Sequence, residues 1–193
     1  ESNDTGLSPH ISSIVISGIY PALFYYVGFD PQFDLNFSEG CPPGTYVTGT
    51  GCSLAHPGHY IEGGNSSTQT ACPGGTYNPE WGTSNPEDCI ETAPGNYSTS
   101  GSTDQSPCSA GTYQSDFEQT SCIDAAPGHY VSVPGSATQT PCSPGTYQNS
   151  TGQASCIDAS AGYHVPSSAS TFQTACLPGT YQPSTGQVSC IDA

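Results

Sequence analysis

Lysine, arginine and methionine are absent from all 193 residues. The sixteen acidic side chains therefore have no cationic partner beyond a histidine, a terminus or a bound cation. Nucleic-acid binding is not expected, because the phosphate contacts that dominate such affinity require basic side chains. Anionic membrane surfaces repel the chain for the same reason. Charge is nevertheless sparse: 8% of residues carry one and tyrosine occurs twelve times, which is not the composition of a disordered acidic tail. Leucine, isoleucine and valine are scarce, so order has to come from something other than a large apolar core. Catalytic signatures are missing as well. No Gly-x-Ser-x-Gly elbow, lysine-bearing phosphate loop or His-Glu-x-x-His pair occurs, and the expectation is a protein that is not an enzyme.

What is present is a beat of about 17 residues, paired into units of about 34, which runs from Cys41 to the last residue. Segments open at Cys41, Ala55, Cys72, Thr92, Cys108, Ala125, Cys142, Ala159 and Cys176. Each has glycine three residues in: Gly44, Gly58, Gly75, Gly95, Gly111, Gly128, Gly145, Gly162 and Gly179. Eight of the nine have tyrosine two residues later, at Tyr46, Tyr60, Tyr77, Tyr97, Tyr113, Tyr130, Tyr147 and Tyr181; the other has His164 there, beside Tyr163. Proline precedes six of the glycines, as in Pro43-Gly44 and Pro144-Gly145. Proline fixes the φ wanted at the second position of a type II turn and glycine supplies the positive φ that follows. Each segment is expected to open on such a turn and leave it as a short strand carrying Thr-Tyr or His-Tyr.

Ten cysteines in a Gly- and Pro-rich chain fit disulfide staples formed in an oxidising compartment. Alternate segments carry two: Cys41 and Cys52, Cys72 and Cys89, Cys108 and Cys122, Cys142 and Cys156, Cys176 and Cys190. In the intervening segments the first becomes Ala55, Thr92, Ala125 or Ala159, and the second becomes Gln69, Gln105, Gln139 or Gln173. Both partners disappear together. Bonds between segments would leave stranded thiols, whereas bonds within a segment would not, so five local disulfides in sequential order are expected. Each closes a short loop, worth about 3 kcal/mol on the chain-entropy account. No Cys-x-x-Cys knuckle occurs, which argues against zinc. The glutamines either bond to loop backbone where the disulfide would have been, or are exposed while stacked neighbours hold the loop. The tyrosine rings, lying over a neighbouring unit's disulfide or Ala/Gln gap, are expected to supply the largest buried apolar area. Ile90, Ile123, Ile157 and Ile191 are the next candidates for burial.

The motif Cys-x-x-Gly-Thr-Tyr followed by Gly-x-x-Ser-Cys, in 142–156 and 176–190, resembles the ephrin-receptor-like cysteine-rich repeat, a relative of the EGF-like and tumour-necrosis-factor-receptor-like disulfide modules. The resemblance covers 41–193. Members join successive segments as Cys-x-x-Cys; here the second cysteine is alanine, as in Cys122-Ile123-Asp124-Ala125, which halves the disulfide density. The resemblance implies an all-β or irregular disulfide-rich fold without significant helix, an elongated solenoid-like ladder of hairpin and turn units. Similar arrays occur in large surface glycoproteins of protists and algae, where the implied role is structural.

Five of the seven asparagines, Asn3, Asn36, Asn65, Asn96 and Asn149, stand in Asn-x-Ser/Thr sequons, against about two expected by chance. N-glycans are therefore expected on a secreted or cell-surface chain. Asp124, Asp158 and Asp192 recur after the closing cysteines, with Glu91 in the equivalent place. They suit calcium as a ligand type, but no Asp-x-Asp-x-Asp-Gly loop is present, and no cofactor or metal is expected. Of His10, His56, His59, His129 and His164, three sit at or beside the periodic tyrosine, where a structural role is the plain reading.

The first forty residues differ from the rest. Residues 11–29 form the one strongly apolar stretch, broken by Gly18 and Pro21 and without a basic flank, which argues against membrane insertion. Two strands are expected, 11–16 with Ile11, Ile14, Val15 and Ile16, and 22–27 with Leu23, Phe24, Tyr25, Tyr26 and Val27. Residues 1–40 are too few to bury these faces alone, so they are expected to act as an assembly arm that pairs with another copy, or as a cap on the first repeats. The chain opens on Glu1 without methionine and stops at Ala193, the opening position of a tenth segment, as a processed or partial product would. Two functions follow: a repeat rod that self-associates into an extracellular filament, or a monomeric stalk or ligand-binding ectodomain of a receptor or adhesin.

Overall fold

The structure, a computed structural model, describes residues 40–49 and 51–193. The chain divides into two units, Glu1–Asn36 and Phe37–Ala193, and every described residue belongs to the second. The strands expected at 11–16 and 22–27, with Ile11, Ile14, Val15, Ile16, Leu23, Phe24, Tyr25, Tyr26 and Val27, lie outside the described residues, as do Asn3 and Asn36.

The fold is small, disulfide-rich and all-β. Nine two-stranded antiparallel hairpins follow one another, one per segment, and the helical content among the described residues is a single 3-10 turn at Pro86–Asp88. The first hairpin pairs Thr45–Thr48 with Gly51–Leu54; the other eight have strands of two residues. Every segment opens on the same turn. The N–H four residues after the opening position donates to the carbonyl of the residue after that position, as in Thr45 to Pro42 (3.1 Å), His129 to Ala126 (3.0 Å) and Thr180 to Leu177 (2.9 Å). The intervening glycines take φ between +79° and +91°, which a residue with a Cβ adopts only under strain. In the cysteine segments the threonine hydroxyl doubles the turn bond: Thr76 Oγ1 donates to Pro73 O and Thr112 Oγ1 to Ser109 O, each at 2.9 Å.

Disulfides join Cys41–Cys52, Cys72–Cys89, Cys108–Cys122, Cys142–Cys156 and Cys176–Cys190, all within their own segments, and no cysteine is free. The intervening segments close differently. The Gln69 side-chain oxygen accepts from His56 N–H (2.9 Å), Gln105 from Ala93 (2.9 Å), Gln139 from Ala126 (2.7 Å) and Gln173 from Ser160 (2.6 Å). Of the two sequence-based alternatives, the amide bond is the one present. A net hydrogen bond contributes about 1 kcal/mol where the disulfide contributes about 3 kcal/mol, so staple strength alternates along the array.

The core is a row of small side chains rather than the expected aromatic layer. Opening residues from Ala55 to Ala159 are fully buried, and so are Ile61, Val131 and Val165, each of which directly follows the aromatic position. In the last four cysteine segments that same position holds a buried amide, Asn78, Gln114, Gln148 or Gln182, whereas the first has the exposed Val47 there. Burial is tolerated because both ends of the amide are bonded. Gln114 Nε2 donates to Ser121 O (2.8 Å) while its Oε1 accepts from Asp116 N–H (3.1 Å), and Gln148 and Gln182 repeat the pair. The fourth segment is a coupled exception, with Thr92 and Ser98 where the other glutamine segments have alanine and an aliphatic residue. Their hydroxyls bond at 2.5 Å and Ser98 passes its proton bond on to Thr76 O.

Two burial expectations are corrected. Ile90, Ile123, Ile157 and Ile191 are 44–48% exposed, and the repeated tyrosines are half-buried or exposed. The reason is the hairpin register. Tyr77 pairs across with Ile90, Tyr113 with Ile123, Tyr147 with Ile157 and Tyr181 with Ile191. Directly paired residues share a face, and the core already lies on the face that carries the next residue, so tyrosine and isoleucine cover each other on the outside.

Candidate functional site

Segment-to-segment contact is the property repeated most faithfully, and it is the candidate site. Three backbone bonds make each step, shown by the sixth and seventh segments. Gly128 N–H donates to Gln148 O (2.7 Å), Val131 N–H donates to Gln153 O (3.0 Å), and Gly152 N–H returns to Ala125 O (2.8 Å). The same three occur in every one of the seven steps from the second segment to the ninth. The first step keeps one of them, Val47 N–H to Ser66 O (2.8 Å), and adds a side-chain bond from Cys41 N–H to Asn65 Oδ1 (2.9 Å).

A second contact reaches one segment further. A Cβ built on Gly111 would lie 2.2 Å from Gly152 O, two segments on; one on Gly145 would lie 2.3 Å from Gly186 O, and one on Gly75 2.1 Å from Glu118 O. The turn glycine thus serves two purposes, positive φ and the close passage of a carbonyl from the next segment of its own parity. Cysteine segments touch cysteine segments this way, and glutamine segments touch glutamine segments. Sequence reasoning found the first purpose only, because a period in the sequence does not say which neighbour approaches.

The expected modification sites fall in different surroundings. Asn149 lies exposed in a loop. Asn65 is exposed at φ +66°, and its side-chain oxygen accepts from Cys41 N–H. Asn96 is half-buried in a strand, its amide nitrogen 3.3 Å from Pro94 O, and the hydroxyl of its sequon partner Ser98 is buried. Asn96 is thus the least accessible of the three described sequon asparagines.

The described histidines occupy structural places. His59 and His129 set Nδ1 at 3.2 and 3.3 Å from Pro57 O and Pro127 O, in the place of the threonine hydroxyl of cysteine segments. His56 packs edge-on between Tyr46 and Trp81, tying together the first three segments. Asp124, Asp158, Asp192 and Glu91 are exposed, and Asp124 and Asp158 each lie beside a loop glycine two segments on, Gly152 and Gly186. Among the described residues, the one group of three metal-ligating side chains with all donor atoms within 4.8 Å is His164, Cys176 and Cys190, whose sulfurs are joined to each other. No helix of the described residues is long and apolar enough to cross a membrane.

No protein-family model matches this chain, and no curated protein matches it.

Proposed function

We propose that this is a secreted, N-glycosylated structural protein whose stapled repeats form a rod, and that the rod assembles into an extracellular filament through the apolar residues 11–27. The observation that carries the reading is the seven-fold repetition of one three-bond step. Each segment offers the next the same donors and acceptor that it met in the one before, so the pattern propagates without a terminating shape. Five disulfides and no free thiol suit an oxidising compartment. A chain with net charge −16 and hydrated glycans resists lateral clumping, and without lysine or arginine it offers trypsin no cleavage site.

The likeness to ephrin-receptor-like repeats belongs to the same proposal and supports the array rather than any receptor activity. Negative-stain imaging of the intact chain and of a chain lacking residues 11–27 tests the function. Filaments from the first and dispersed particles from the second are expected. Filaments from both remove the amino-terminal residues as the joint, and dispersed particles from both leave the monomeric stalk or ectodomain as the better reading.

A further inference from the structure

Eight segments place tyrosine on the outer face of the hairpin, and the eighth segment alone substitutes His164. The substitution has a specific neighbour. His164 is half-buried, pairs across its hairpin with Thr174, and sets Nδ1 3.2 Å from Sγ of Cys190 in the following segment. Among the described residues no other ring nitrogen is bonded to a disulfide sulfur. A ring nitrogen of His164 and both sulfurs of Cys176–Cys190 lie within 4.8 Å of one another.

We propose that His164, Cys176 and Cys190 form a thiol-opened binding site for one soft or borderline divalent cation, for which Zn²⁺ is the fitting ion. The inference stands independently of filament formation. In the closed state the imidazole lies against the sulfur that would leave. A thiolate of an external thiol attacks Cys176 Sγ, the sulfur–sulfur bond breaks, and its electron pair departs on Cys190 Sγ, where an Nδ1–H stabilises the new thiolate. A second external thiolate then attacks the external sulfur of the mixed disulfide and releases Cys176. Two thiols are oxidised to one external disulfide and one protein disulfide is reduced to two protein thiols.

The opened trio matches a zinc donor set. Tetrahedral zinc with Zn–S of about 2.3 Å holds its sulfurs about 3.8 Å apart. The Cα atoms of Cys176 and Cys190 are 5.7 Å apart, so side-chain rotation alone can provide that spacing. On binding, the two thiols give up their protons to solvent, the ring gives up the proton on Nδ1 and carries its remaining one on Nε2, and Nδ1 supplies the third ligand. The fourth position stays open to water. The other four disulfides have no imidazole against a sulfur and would present two ligands when opened, too few for a comparable site.

The experiment compares the full chain with His164→Tyr, which restores the residue that the other eight segments use. Both proteins are exposed to limiting reduced glutathione and alkylated, and the cysteines are mapped by mass spectrometry. The pair Cys176 and Cys190 should be labelled first in the original chain, at a rate several-fold higher than in His164→Tyr. Separate samples, reduced in the same way but not alkylated, are freed of glutathione anaerobically and titrated with Co²⁺ as a spectroscopic substitute for Zn²⁺. One equivalent with thiolate-to-cobalt charge-transfer bands is expected, with affinity at least tenfold lower in the variant. Equal cobalt binding by the two proteins, or none by the original chain once this pair is open, overturns the proposal. Should His164→Tyr fail to form five disulfides, His164→Gln replaces it with the same two readings.

Discussion

Gly111→Ala is expected to lower stability by about 4 kcal/mol, where Gly63→Ala costs about 1 kcal/mol. Both glycines have positive φ, +90° and +75°, so the backbone strain of adding a Cβ is similar. Their surroundings separate them. The added carbon at Gly63 meets nothing within 4 Å, whereas at Gly111 it would lie 2.2 Å from the carbonyl oxygen of Gly152. Backbone cannot swing aside as a flexible side chain can, so the seventh segment has to move off the fifth. Gly152 N–H also donates to Ala125 O at 2.8 Å, and that movement pulls on the step between the sixth and seventh segments. Denaturant unfolding of the two variants measures the difference. Equal costs would mean that the carbonyl approach contributes nothing and that only turn geometry keeps the glycine.

Ala125→Cys with Gln139→Cys is expected to form a sixth disulfide and to raise stability by about 2 kcal/mol, the gain of a short crosslink less the glutamine bond it replaces. The backbone there is already that of a cysteine segment. His129 pairs with Pro141 and Tyr130 with Thr140, in the same register relative to the opening residue as Thr112 with Asp124 and Tyr113 with Ile123. The bond lost is the one from Ala126 N–H to Gln139 Oε1 at 2.7 Å. Peptide mapping detects the crosslink and the denaturation midpoint gives its worth. Two free thiols in the oxidised protein would show that alternate segments differ in backbone and not merely in staple.

Much of this architecture is legible in the residues themselves. Joint replacement of Cys108 and Cys122 by Ala125 and Gln139 in the next segment makes sense only if the two positions are partners, and the disulfides do close within segments. Pro-Gly before Thr-Tyr fixes the turn and the strand that leaves it. Three features were not legible, each for a physical reason. The recurring glutamine after tyrosine, as at Gln114, Gln148 and Gln182, looks like a solvated polar residue because sequence does not show the Ser121, Ser155 and Ser189 carbonyls that satisfy it inside. Isoleucine after the closing cysteine looks buried on hydrophobicity, yet strands of two residues have only one covered face and Ile123 shares the other with Tyr113. The contact between segments of like parity leaves no mark beyond an invariant glycine, and the turn already accounts for that glycine.

The architecture rests on the backbone bonds between segments, with the staples as local reinforcement. Native-state hydrogen exchange at Gly58, Gly75, Gly95, Gly111, Gly128, Gly145 and Gly162 reads those bonds directly, because each amide donates across a step. Protection of similar size at all seven, in cysteine and glutamine segments alike, is the expected result. Protection at Gly75, Gly111 and Gly145 with free exchange at Gly58, Gly95, Gly128 and Gly162 would contradict it, and would reduce the array to separate disulfide loops joined by open chain.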